Sequence, residues 1–302
     1  MSTITVCEVG PRDGLQNEPA IVGTPDKIAF IDALSEAGLP VIEVSAFVSP
    51  RWVPQMADAA EVFAGITRRP GTRYTALVPN LKGLDRALAA GIADIAVFGA
   101  ASETFSRRNI NQSIEESFVR YRDVIQQAQA AGLRVRGYLS TAFGCPFEGD
   151  VPVDRVVRLT GALLDMGVYE VAVSDTIGVA HPGQVRHMLT ALMSAFPPAA
   201  LALHFHDTRG TALANVLASL DFGIRTFDTS AGGLGGCPYA PGATGNLATE
   251  DLLYVLHGLG YDTGVSIDKV VAASTAVEPF LGHPLPSRYV RARAAMEPRS
   301  LS

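Results

Sequence analysis

The chain has 302 residues, 48% of them hydrophobic and 18% charged, with a formal net charge of -6. That is enough apolar material for a large core, and it provides no basic field for nucleic acid. Three widely spaced cysteines, Cys7, Cys145 and Cys237, make neither a disulfide framework nor a zinc knuckle and point to a reducing compartment.

Short apolar runs alternate with longer amphipathic ones along most of the chain. "ITVCEV" (4–9) predicts a strand and "PDKIAFIDALSEAG" (25–38) a helix that Gly38 ends. "VIEVSAF" (41–47) is the next strand and 54–66 the next helix, with Pro54 in its first turn. The pattern repeats with strands at 73–78, 94–99, 134–141, 170–176, 200–207 and 225–230. Helices follow at 81–91, 113–132, 152–167, 182–196, 210–223 and 249–260. Ser113 with Glu116 three residues on predicts a capping box. The strands are short and apolar on both sides, as buried parallel strands are. Eight such units in about 260 residues predict an α/β fold, a (β/α)8 TIM barrel, rather than a doubly wound sheet. The barrel is expected over 1–264, with 265–302 a C-terminal helix and tail packed on it. No run approaches the roughly 20 apolar residues that span a bilayer. "MSTITVCEVGPRDG" has no targeting character, so a cytoplasmic protein without membrane or nucleic-acid partners is expected.

Catalytic groups of such barrels sit at the C-terminal ends of the strands. Strand 1 ends in "GPRDGLQNE", which crowds Arg12, Asp13, Gln16, Asn17 and Glu18 into one loop; a solvated turn is the competing reading. Glu43 lies inside an apolar strand, where a carboxylate is costly unless paired, so it reads as functional or as half of a buried ion pair. Asp175 ends strand 6 as a site residue or a helix cap. On strand 7, "LALHFHD" puts His204 and His206 on one face, since strand side chains alternate. Two imidazoles at a barrel mouth read as metal ligands. Arg107 and Arg108, after strand 4, are solvated or bind an anionic coenzyme tail. Cys7 reads as core and Cys145 as core or mouth lining, while His181, His187, His257 and His283 carry no functional signal. Asp13, His204 and His206, with the amide oxygen of Asn246, make a mixed oxygen and nitrogen set that takes Mg²⁺ or Mn²⁺; the two imidazoles alone would suit Zn²⁺ or Mn²⁺ better.

The motifs "PRDGLQNE", "VIEVSAFVSPRWVPQM", "SETFSRRNINQSIEES", "SDTIGV", "HFHDTRGTALAN" and "GGLGGCPYAPGATGNLATED" together resemble the 3-hydroxy-3-methylglutaryl-CoA lyase family, in register from about residue 5 to 280. The resemblance implies a metal-dependent carbon–carbon lyase acting on an acyl-CoA and yielding acetoacetate and acetyl-CoA, as in leucine degradation and ketone-body formation. It implies Asp13, His204, His206 and Asn246 as ligands of a divalent cation, Mg²⁺ or Mn²⁺. Arg12 would stand near the thioester oxygen, Asp13 or His204 would take the hydroxyl proton, and Cys237 would protonate the enolate. Glu43 and Asp175 would orient metal-bound water or these side chains; Gln16, Arg107 and Arg108 would bind substrate, and Glu250 would support the glycine-rich loop. That loop, 229–246, is expected to use positive φ and to close over substrate with Cys237 on it. A homodimer is also implied. Leu15, where the condensing relatives of the superfamily carry an acidic residue, argues against a Claisen-type synthase. A lyase for a longer branched 3-hydroxyglutaryl-CoA is not distinguished by these motifs. Pro19 stands where some members have lysine, so a substrate contact there passes to another group, with Arg51 and Arg107 as candidates.

Overall fold

A computed structural model of the chain describes residues 3–236 and 245–296. Eight strands follow one another in chain order around a closed barrel: β1 (Thr5–Glu8), β2 (Val41–Ala46), β3 (Arg73–Leu77), β4 (Asp94–Ala100), β5 (Arg134–Ser140), β6 (Val171–Asp175), β7 (Leu201–Phe205) and β8 (Thr226–Thr229). Neighbouring strands are parallel throughout, and β8 pairs back to β1. The expected (β/α)8 TIM barrel is therefore the fold. A closed parallel barrel needs apolar side chains on both faces of its strands, inside against one another and outside against helices. The register of β2 against β3 shifts between Glu43 and Ser45, a local irregularity beside a carboxylate.

The outer helices are α1 (Thr24–Glu36), α2 (Ala59–Gly65), α3 (Leu81–Ala89), α4 (Glu103–Ile110), α5 (Ile114–Ala130), α6 (Val153–Asp165), α7 (Pro182–Met193), α8 (Ala212–Leu220) and α9 (Thr249–Gly258). The capping box of α5 forms as expected: Ser113 Oγ accepts from the Glu116 amide at 3.1 Å, and Glu116 Oε2 accepts from the Ser113 amide at 2.7 Å.

Three segments differ from the sequence expectation. The run 54–66 splits into a 3-10 turn, Pro54–Met56, and α2. The polar stretch after β4, to which the sequence assigns no element, forms α4, capped by Ser102 and ended by Asn111 at φ 54°. The tail beyond residue 280 forms a second C-terminal helix, α11 (Arg288–Met296), after the expected one, α10 (Ile267–Val277). α10 lies against α1 and α11 against α9. No helix among the described residues is long and apolar enough to cross a membrane.

Candidate active site

β1 runs into a single π-helical turn, Gly10–Gly14, in which the amides of Arg12, Asp13 and Gly14 all point at the Val9 carbonyl, at 3.1, 2.7 and 3.2 Å. Such turns widen the backbone and often mark functional sites. This one sets two consecutive charged side chains side by side. Arg12 Nη1 donates to Asp13 Oδ1 at 2.7 Å, and Arg12 Nε donates to Glu43 Oε2 at 2.5 Å. The guanidinium also lies over the Tyr138 ring, 5.6 Å from its centroid. Burial would lower the pKa of Arg12, but Glu43 and Asp13 reverse that and raise it.

The π-helical turn brings Asp13 against the histidines of β7. His204 and His206 share a face, with ring centroids 5.2 Å apart. One ligand atom from each of Asp13, His204 and His206 lies within 4.8 Å of the other two. Asn246 joins them through a backbone bridge to His206, and its Nδ2 donates to Asp13 Oδ2 and to the Leu234 carbonyl, both at 3.0 Å. Its Oδ1 and the Nδ1 of His206 are buried without partners. Buried polar atoms rarely lack a partner. An orphaned amide oxygen and an orphaned imidazole nitrogen beside a carboxylate fit a divalent cation.

Ligands must be deprotonated to bind, and the electrostatics of Asp13 and His206 agree with that fit, whereas those of His204 favour the protonated ring until a cation displaces the proton. Burial would raise the Asp13 carboxyl, yet Arg12, His204 and His206 hold it down to about 2. Burial, and then repulsion from His204, push His206 down to about 3. His204 is raised in spite of its burial, chiefly by its hydrogen bond to Asp228.

The HMGL-like family matches residues 3–277. The chain belongs to the HMGL-like family. It is 54% identical over 289 residues to the mitochondrial hydroxymethylglutaryl-CoA lyase of Mus musculus, spanning 96% of this chain and 89% of that protein. It superposes on the Bacillus subtilis HMG-CoA lyase with a TM-score of 0.95 at 51% identity, covering 97% of this chain and 99% of that one. An HMG-CoA lyase from Acinetobacter baumannii, solved with coenzyme A and 3-methylmalate, superposes with a TM-score of 0.92 at 41% identity, covering 96% and 95% of the two chains.

Other HMGL-like candidates fall in different places. Glu43 is fully buried on Arg12, with Oε1 unpartnered. Asp175 accepts from the amides of Val179 and Ala180, both at 2.9 Å, so its carboxylate braces the turn after β6 and does not cap α7, whose N-cap is His181. Gln16 is half-buried one turn beyond Asp13. Arg107 pairs with Glu103 at 2.9 Å, and Arg108 lies 4.3 Å from the Phe147 ring centroid, so these contacts stay with the loops after β4 and β5. Glu250 accepts from the Gly232 amide at 3.0 Å and from Ser274 Oγ at 2.5 Å, tying the loop after β8 to α10. Cys145 is buried, with Sγ 2.9 Å from Ser102 Oγ. Cys237 lies outside the described residues, as does the rest of 237–244.

Three charged residues of this HMGL-like barrel were missed: Glu8, Arg136 and Asp228, all buried. All three lie inside predicted strands, but only Glu8, in "ITVCEV", shares with Glu43 the signal of a carboxylate in an apolar run. Glu8 accepts from the amides of Gly10 and Ala231, at 2.8 and 2.9 Å, and from Thr249 Oγ1 at 2.6 Å. It thus joins the π-helical turn to the loop after β8. Burial raises its pKa to about 7, against the pull of those hydrogen bonds. An unfolded chain releases that proton near the ordinary carboxylate value, so this contribution to stability is present at low pH and lost as pH rises to about 7. Glu8→Gln can keep the same partners, because Thr249 Oγ1 is also within 2.8 Å of Thr229 Oγ1 and can turn its proton there. We expect the variant to gain on the wild type by up to ~2–3 kcal/mol between pH 5 and 8 in urea unfolding. A stability difference that stays flat over that range would refute the assignment.

Proposed function

We propose that the chain cleaves 3-hydroxy-3-methylglutaryl-CoA to acetoacetate and acetyl-CoA, with a divalent cation, Mg²⁺ or Mn²⁺, held by Asp13, His204, His206 and Asn246. The observation that carries this reading is the convergence of Asp13, His204 and His206 beside the unpartnered Asn246 amide oxygen. The names of the relatives support the reaction, and the bound coenzyme A of the Acinetobacter lyase supports an acyl-CoA substrate. When bound, the cation supplies Lewis acidity that lowers the pKa of the substrate's tertiary hydroxyl.

The chain's own residues do the rest. Asp13 and His204 are the two acceptors for the hydroxyl proton. As it leaves, the C2–C3 bond breaks, acetoacetate forms, and the electron pair passes to the thioester as an enolate. Arg12 faces the developing oxyanion. Its charge is permanent, and Glu43, Asp13 and Tyr138 hold it, so no reorganisation is needed as charge develops. Cys237 delivers a proton to the enolate carbon, completing acetyl-CoA. Glu250 supports the loop that ends in Asn246, and Gln16, Arg107 and Arg108 bind the acyl-CoA. On family resemblance alone the reading extends to leucine degradation and ketone-body formation, a cytoplasmic compartment and a homodimer. A Claisen-type synthase is disfavoured by Leu15, buried beneath the π-helical turn, and by relatives named as lyases.

The test is acetoacetate release from 3-hydroxy-3-methylglutaryl-CoA by the purified protein with Mg²⁺ or Mn²⁺. Release that a chelator abolishes and added cation restores is expected. No metal-dependent release would sink the reading.

A further inference from the structure

Barrel interiors are normally filled by layers of branched apolar side chains. Here part of the interior is ionic. Arg136 of β5 and Asp228 of β8 have side chains 2% and 0% exposed. Arg136 Nη2 donates to Asp228 Oδ1 at 2.8 Å, its Nε donates to Glu170 Oε1 at 2.8 Å, and its Nη1 donates to the Tyr138 hydroxyl at 3.1 Å. The other oxygen of Asp228, Oδ2, lies 3.3 Å from His204 Nδ1. His204 and Asp228 are direct register partners across β7 and β8, so the strand pairing itself sets this approach. A continuous chain of contacts therefore runs from Glu170 through Arg136 and Asp228 to the histidine at the barrel mouth.

A buried carboxylate is tolerated where a cation and hydrogen bonds accompany it, and Arg136 supplies both. An ionised carboxylate can only accept, so the hydrogen between Asp228 and His204 belongs to Nδ1. That fixes the plane of the ring and leaves Nε2 as the nitrogen with a free lone pair. Metal-bound histidines commonly use their second nitrogen in this way. His206 has no such brace, since its Nδ1 is unpartnered.

We propose that Asp228 is a positioning residue for the divalent cation: anchored by Arg136, it fixes the Nδ1–H tautomer of His204 and presents Nε2 of that ring to the cation. The proposal rests on the reading of Asp13, His204 and His206 as a cation site.

The experiment titrates Mn²⁺ alone into the metal-stripped full-length protein and counts free ion by electron paramagnetic resonance. Asp228→Asn keeps the shape but removes the charge, and it can turn an N–H towards His204. Binding about 10–100-fold weaker than wild type, with an unchanged circular dichroism spectrum, is expected. In the Mg²⁺-saturated wild type, imidazole ¹⁵N spectra are expected to show His204 protonated on Nδ1. The proposal is overturned if Asp228→Asn lowers thermal stability while binding Mn²⁺ like the wild type. Protonation of wild-type His204 on Nε2 overturns it as well. If the variant does not fold, the wild-type ¹⁵N spectrum decides alone. Failure of the wild type to bind either ion overturns the cation reading, and this proposal with it, a result distinct from an effect confined to the variant.

Discussion

Arg12→Gln is expected to lower kcat by about 10²–10³-fold, the cost of removing a donor aimed at a developing oxyanion. The guanidinium does two things at once. Its Nε and Nη1 neutralise Glu43 and Asp13, at 2.5 and 2.7 Å, and in the proposed reaction its fixed charge would face the developing enolate. Glutamine retains some hydrogen bonding and no charge. Glu43 then loses the one partner its carboxylate has, because Oε1 has none. Breaking a buried pair from one side typically costs about 3–5 kcal/mol, which Glu43 can reduce by taking up a proton. Burial already raises its pKa, with Arg12 pulling the other way, so the loss of stability grows as pH rises above the ordinary carboxylate range. Cation affinity is expected to hold, because Arg12 competes for the same Asp13 carboxylate. Steady-state kinetics beside Mn²⁺ titration separates the two effects. A fall in kcat of less than tenfold would remove Arg12 from the charge-stabilising role.

The second large effect is steric. A Cβ on Gly245 would sit 2.0 Å from the Gly233 carbonyl oxygen and 2.9 Å from that of Gly235. Both are backbone atoms, so no rotamer change relieves the clash. Opposite them, Gly235 has φ 113° and would meet Asn246 Nδ2 at 2.6 Å if it carried a side chain. Gly245→Ala must therefore push the segment carrying Asn246 away from Leu234 and Asp13. Overpacking of this kind costs about 1–3 kcal/mol. We expect a lower melting temperature and Mn²⁺ binding at least about tenfold weaker, in line with disturbed ligand support. Gly258→Ala, where nothing lies within 4 Å of an added Cβ, is the control and should change neither. Mn²⁺ affinity within twofold of wild type in Gly245→Ala would show that Asn246 does not hold the cation.

Much of this architecture is legible in the amino acids. The eight strands follow from short apolar runs bounded by glycine and proline, and the His204–His206 pair follows from strand alternation. The positive φ expected in the loop after β8 is found at Gly232, Gly233 and Gly235. Helix α4 was not legible because caps hold it rather than an apolar stripe, Phe105 being its only large buried side chain. Arg136 was hidden for another reason. It shares a strand face with Arg134, which is 54% exposed, whereas Arg136 is 2% exposed. Alternation gives the face of a strand but not the depth along the barrel axis, and depth decides whether an arginine meets water or a buried aspartate. Asp228 was masked by its neighbours, since "RTFDTS" reads as a polar strand end and a carboxylate there does not stand out.

The close approach of Gly233, Gly235 and Gly245 has an evolutionary consequence. The Leu234 carbonyl accepts from the Asn246 amide at 3.4 Å and from its side chain at 3.0 Å, so the chain leaves this point at residue 236 and returns to it at 245. Any Cβ at residue 245 meets the Gly233 carbonyl oxygen at 2.0 Å, so the residue just before Asn246 is confined to glycine for as long as Asn246 keeps its contacts with Leu234 and Asp13.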